Sequence, residues 1–159
     1  MRIIGIDPGT GILGFGVIES DGSKHRLVDA GVIRTPVKED DGVRLQTIYE
    51  EICDIIAETK PERMSIEKLF FAQNVTTAIT VAQARGVVLL AGMQAGLKIH
   101  EYTPLQIKHS LTGYGRADKK QVIEMVHVLL GLKKGTVKVD DCADALAAAL
   151  TYATSIKVK

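Results

Sequence analysis

Hydrophobic and polar positions along this chain follow two periods, and the switch between them divides it. Residues 1–7 (MRIIGID) are apolar at nearly every position until Asp7, the pattern of a strand buried on both faces. "ILGFGVIE" (12–19) and "HRLVDAGVIR" (25–34) read as two further strands. The links between the three are short and carry Gly, so an antiparallel meander is expected. From Asp40 to Thr59 the period becomes helical, with Leu45, Ile48, Ile52, Ile55 and Ile56 on one face and Pro61 just past the end. "RMSIE" (63–67) predicts a fourth strand that ends, like the first, on a carboxylate, Glu67.

The second half alternates. After "KLFFAQN", a helix is expected over about 76–95, capped by Asn74 or Thr76; its only charge is Arg85. Apolar on nearly every side, such a helix needs cover on more than one face, from the rest of the chain or from a second copy. "KIHEYT" (98–103) predicts a fifth strand. Thr103 then caps a helix with Pro104 in its first turn and Gly113 at its end. A helix over about 118–131 follows, with Val122, Val126, Leu129 and Leu130 inward, and a last one starts near Asp140 as N-cap and runs through "CADALAAALTYA". This order predicts an α/β fold: a five-stranded mixed sheet, strands 1–3 antiparallel, with helices on both faces.

Four acids share a placement in that scheme. Asp7 and Glu67 end strands one and four, which the crossover helix favours as parallel neighbours, and Asp141 and Asp144 stand three apart at the start of the last helix. Open α/β sheets place ligands at the carboxyl ends of their strands. Carboxylates gathered there would repel one another, and a hard divalent cation, Mg²⁺ or Mn²⁺, is the usual remedy. Each acid also has an ordinary alternative: Asp7 as a turn residue, Glu67 as a strand end, Asp141 and Asp144 as partners of the helix dipole.

Composition adds bounds. The 159 residues fit one domain, 1–159, with a core of its own. Cys53 and Cys142 are too few and too far apart for a disulfide framework or a zinc-ligand spacing, so reduced thiols in a cytoplasmic protein are expected. No apolar run approaches the roughly 20 residues that span a bilayer, and no charged signal region precedes the first strand. The net charge is only +1, but residues 1–60 hold 7 Lys/Arg against 11 Asp/Glu while 98–138 hold 8 against 3. The second stretch attracts phosphate, or is merely a solvated face.

"GIDPGT…GFGVI", "IEKLFFAQN", "QARG", "LTGYGRADKKQV" and "DDCADALAAAL", in that order and over essentially the whole chain, resemble the RuvC family of Holliday-junction resolvases. The resemblance implies an RNase H-like fold, a homodimer and Mg²⁺-dependent endonuclease action on four-way DNA junctions in recombination and repair, by paired nicks that leave 5′-phosphate and 3′-hydroxyl ends. It places a catalytic, metal-holding tetrad on Asp7, Glu67, Asp141 and Asp144. The doublet Asp140-Asp141 offers two candidates, and the family spacing of acid, two residues, acid selects Asp141. A carboxylate-only cluster suits phosphodiester hydrolysis by two ions, and Asp7 is expected to bridge them, with Mn²⁺ as a substitute for Mg²⁺. The resemblance also implies that Phe70 stacks on a base, with Phe71 beside it, and that Lys108 and Lys119 contact phosphate, with Arg116 and Lys120 as neighbours. A branch-migration helicase complex is the partner it suggests. An RNase H-like nuclease for another branched or hybrid nucleic acid, or a non-catalytic junction-binding protein, would share much of this pattern.

Overall fold

In the computed structural model, which describes residues 1–36, 38–69, 75–133 and 142–156, the five strands form one sheet in the order β3-β2-β1-β4-β5. The strands are β1 (Arg2–Asp7), β2 (Ile12–Ser20), β3 (His25–Arg34), β4 (Arg63–Glu67) and β5 (Lys98–Tyr102). β1 pairs antiparallel with β2 and β2 with β3, whereas β4 runs parallel to both β1 and β5. The meander, the parallel pairing of strands one and four, and the mixed sheet follow the expected pattern.

Period-two alternation sends side chains to two cores. Ile4 and Ile6 point to the face covered by α1 (Asp41–Thr59) and α2 (Val75–Gln94), where they pack with Ile48, Ile52, Met64 and Val88. Ile3 points to the other face, under α3 (Pro104–Thr112), α4 (Lys119–Leu130) and α5 (Ala143–Ser155).

On that second face the sheet carries a row of registered partners: Ala30, Gly16, Gly5, Ser65 and His100, one from each strand. α5 lies directly on it, and ten of its residues are buried, including Ala145 and Ala147 to Ala149. A Cβ built on Gly5 would stand 1.9 Å from the carbonyl oxygen of Ala145 and 2.7 Å from the amide nitrogen of Ala149. A Cβ on Gly16 would meet the Leu146 side chain at 2.5 Å. Glycine on the strands and alanine on the helix together let backbone approach backbone.

One expectation needs correcting. The last helix starts at Ala143, with Cys142 as an N-cap whose side chain makes no cap hydrogen bond, and not near Asp140. Asp140 and Asp141 lie outside the described residues, and the shared helix face expected for Asp141 and Asp144 falls there with them. Alanine-rich periodicity marks that a helix exists, but it does not fix the residue at which the helix starts. Within the chain, α2 finds cover on one face. Ala84, Val88 and Ala91 are buried against the α1 side, while Ile79, Leu90 and Met93 are 56%, 53% and 65% exposed, so among the described residues only one face is covered. Asn74, one of the caps expected for this helix, lies outside the described residues. No helix among the described residues is long and apolar enough to cross a membrane, and neither cysteine forms a disulfide.

The close approach at Gly5 predicts a contrast measurable by urea unfolding. Gly5→Ala must push α5 off the sheet and is expected to cost about 3 kcal/mol, the upper end for overpacking. Gly42→Ala, on the exposed first turn of α1 with nothing within 4 Å, is expected to stabilise by about 0.5–1 kcal/mol. Equal effects at the two positions would contradict the packing described.

Candidate active site

The small-residue row determines where the acids meet. Asp7 and Glu67 stand two residues beyond Gly5 and Ser65, so their side chains rise on the same face, toward α5, at the C-terminal ends of parallel neighbours. α5 runs opposite to β4 and is tied to it along its length. The Arg63 Nε donates to the Tyr152 hydroxyl at 3.1 Å, and the Ser65 Oγ donates to the Ala148 carbonyl at 2.6 Å. One helical turn before Ala148 comes Asp144, at the level of Glu67.

Electrostatics report that convergence. Burial first, then the Asp144 carboxylate, raises Asp7 above the ordinary carboxylate range, and the Lys119 ammonium opposes the shift. Burial, then Asp7 and Asp144, pushes Glu67 up to about 7, against the influence of Lys108. The three acids therefore repel one another more than two lysines can offset.

Both lysines come from elements with well-determined starts. Thr103 and Gln106 form a capping box at the head of α3, which carries Lys108, and Asp118 and Gln121 form another at the head of α4, whose first residue is Lys119. Glu67, Lys108, Lys119 and Asp144 line a cleft of about 240 Å³ whose walls are Pro104, Ile107 and Val122. The Lys119 Nζ donates to Asp144 Oδ2 at 3.1 Å. Two lysines of the basic stretch thus share one cleft with Glu67 and Asp144, which lie far from them in the chain.

Of the other residues singled out from sequence, Arg116 and Lys120 are exposed and do not line this cleft. Phe70, Phe71 and Asp141 lie outside the described residues. Among the described residues, no three acidic, imidazole or thiol side chains are gathered in a metal-ligand geometry. The fit to a hard cation rests instead on donor chemistry: Asp7, Glu67 and Asp144 offer only oxygen acceptors, half-buried and mutually repelling. Sequence reasoning missed one neighbour. Arg85, on α2, donates from Nε to the Glu67 carbonyl at 3.4 Å and pairs with Glu101 on β5. Its signal was visible, a lone charge in an otherwise apolar helix.

Comparison with known proteins agrees with this geometry. The family profile for crossover junction endodeoxyribonuclease RuvC matches residues 3–152. The RuvC proteins of Halothermothrix orenii and Heliobacterium modesticaldum are each 51% identical to this chain, over 99% and 98% of it and 95% and 96% of their own lengths. The structure of Thermus thermophilus RuvC superposes with a TM-score of 0.89 at 37% identity, covering 97% of this chain and 94% of that one. The same protein in complex with a Holliday junction substrate gives the same TM-score and identity, with 95% of that chain covered. The yeast mitochondrial Holliday junction resolvase Ydc2, 13% identical with a TM-score of 0.67 over 96% of this chain and 78% of its own, shares the fold alone. The fold is RNase H-like, and the chain belongs to the crossover junction endodeoxyribonuclease RuvC family.

Proposed function

We propose that this chain is a structure-selective endonuclease that resolves four-way DNA junctions by paired, symmetric nicks. The observation that carries this reading is the meeting of Asp7, Glu67 and Asp144 at the carboxyl end of the sheet, beside two lysines, in a chain whose family membership spans its length. Thermus thermophilus RuvC, 37% identical, has been seen with a Holliday junction substrate, which supports the same substrate class here.

In this reading Asp7, Glu67, Asp141 and Asp144 would hold two Mg²⁺ ions, or Mn²⁺ in their place. When bound, such ions lower the pKa of a water and stabilise the leaving 3′-oxygen of a phosphodiester. The chain's own groups do the rest. Asp7 and Glu67 stand on adjacent strands of a rigid sheet and therefore keep a fixed separation as substrate enters. Lys119, on a flexible four-carbon stem, exchanges Asp144 for a phosphate oxygen, and Lys108 approaches the same phosphate from α3. Arg116 and Lys120 extend the positive surface along the DNA, and Phe70 stacks on a base at the crossover. The exposed stripe of Ile79, Leu90 and Met93 on α2 meets its counterpart in a homodimer, whose twofold axis matches that of the junction. A branch-migration helicase complex delivers that junction.

On a synthetic four-way junction, Asp7→Asn is expected to bind as the parent does yet lose about two to three orders of magnitude in Mg²⁺-dependent cleavage, the cost of removing one preorganised charged group. Lys108→Ala reverses the pattern: affinity weakens, and the slope of log affinity against log salt drops by about one. Cleavage by Asp7→Asn at the parental rate would reject the assignment of the acids, and an unchanged salt slope would remove Lys108 from the phosphate path.

The raised Glu67 carboxyl makes a second prediction, about stability. Between its ordinary 4.5 and about 7, folded metal-free protein holds a proton that the unfolded chain has released, so stability falls as pH rises through that window. Thermal unfolding in chelator is therefore expected at a lower temperature at pH 8 than at pH 5.5. In Glu67→Gln that difference shrinks and the melting temperature at pH 8 rises. A Glu67→Gln variant that melts lower than the parent at pH 8 would show that the carboxylate is not under repulsion.

A further inference from the structure

Arg85 is the only charge on α2, yet its side chain is just 16% exposed. It sits beside the buried Ala84 on the opposite face of the sheet from the carboxylate cluster. Glu101, its ion-pair partner, is registered with Ile66, so both side chains point to the α1/α2 face, whereas the Glu67 side chain points the other way, toward α5. Arg85 therefore does not touch the Glu67 carboxylate. It reaches the main chain instead: Nε donates to the Glu67 carbonyl at 3.4 Å while the other arm of the guanidinium pairs with Glu101.

Those two acceptors lie near the ends of adjacent strands: Glu67 closes β4, and Glu101 is the last residue but one of β5. Among the described residues the ladder beyond Glu67 shows one bond, from the Lys68 amide to the Tyr102 carbonyl at 2.7 Å. At that point β4 leaves the sheet, and a strand end with few ladder bonds is where backbone direction is least constrained. A planar fork anchored in a buried helix and bonded to both strand ends supplies the missing constraint.

We infer that Arg85 is a positioning residue: it holds the end of β4 from beneath, so that the Glu67 carboxylate stays in register with Asp7 and Asp144. The inference rests on the reading of Glu67 as a metal-holding carboxylate. Positioning matters here because a site of this kind tolerates errors of only about 0.5 Å, and loss of an outer supporting contact typically costs about 10–100-fold in metal affinity or activity.

The test compares Arg85→Met, Arg85→Lys, Glu101→Gln and Glu67→Gln in the full chain. Mn²⁺ binding is measured by calorimetry without DNA, the Mg²⁺ dependence of junction cleavage by gel assay, junction affinity in chelator, and melting temperature alongside. Arg85→Met is expected to weaken Mn²⁺ binding and to raise the Mg²⁺ concentration for half-maximal cleavage by about 10–100-fold, with junction affinity in chelator within about threefold of the parent. Arg85→Lys is expected to recover part of that loss, because an ammonium keeps the pairing with Glu101 but cannot fork to both strand ends. Glu101→Gln, which leaves the carbonyl contact, is expected to lie between. If the Arg85 variants melt lower but bind Mn²⁺ as the parent does per folded molecule, Arg85 is only a packing residue and the inference is overturned. If Arg85→Met does not fold, the same comparison between Arg85→Lys and Glu101→Gln decides. Loss of metal binding in Glu67→Gln with parental binding in Arg85→Lys and Glu101→Gln would sink Arg85 alone. Parental metal binding and cleavage in Glu67→Gln would sink the reading of Glu67 itself.

Discussion

The molecule depends on one contact, the seating of α5 directly on the sheet at Gly5 and Gly16. Helices usually stand off a sheet by the length of their side chains; here glycine faces alanine and the backbones nearly touch. The hydroxyl of Ser65 reaches the Ala148 carbonyl because of that closeness, and the ring of His100 lies 4.3 Å from that of Tyr152 at the far end of the same row. A helix fixed so tightly has no freedom to slide. Asp144 is one turn up the helix and Asp7 and Glu67 are two residues along their strands, so the packing of the core sets the spacing of the charges.

Such an arrangement is costly in the absence of a counter-charge. Three half-buried acids and two lysines share one end of the sheet, and burial, followed by the Asp7 and Asp144 charges, pushes Glu67 up to about 7. A protein selected for stability alone would place an amide or an apolar residue there. The surrounding structure carries the cost: two hydrophobic clusters, one on each side of the sheet, fully bury residues such as Ile3, Ile6, Met64, Leu146 and Leu150. Lys119 and Lys108 moderate the repulsion without cancelling it, which leaves room for a divalent cation and for phosphate in the same cleft.

Much of this was legible in the sequence, and the exceptions have physical reasons. The first strand, its partner Arg63–Glu67 and the helix between them follow from period alone, and the parallel crossover then sets Asp7 beside Glu67. The cap at Thr103 obeys local hydrogen-bond chemistry that sequence displays openly. The start of α5 was not legible, because alanine-rich periodicity marks the helix without its first residue and the Cys142 cap makes no side-chain hydrogen bond that a local pattern would show. Nor was the mingling of Lys108 and Lys119 with the acids: charge counted along the chain separates them, and only the folding of α3 and α4 over the sheet edge brings them together. Arg85 escaped because its partners are a main-chain carbonyl and a residue on the neighbouring strand, neither of which a local pattern reveals.

The most direct test of the central claim, that core packing brings the acids to one ion-binding point, is anomalous scattering from crystals grown with Mn²⁺. The account predicts peaks within about 2.5 Å of carboxylate oxygens of Asp7, Glu67 and Asp144, at the end of α5 that rests on the small-residue row. Well-ordered carboxylates at that end of the sheet with no manganese on any of them, or manganese bound only elsewhere, would contradict it.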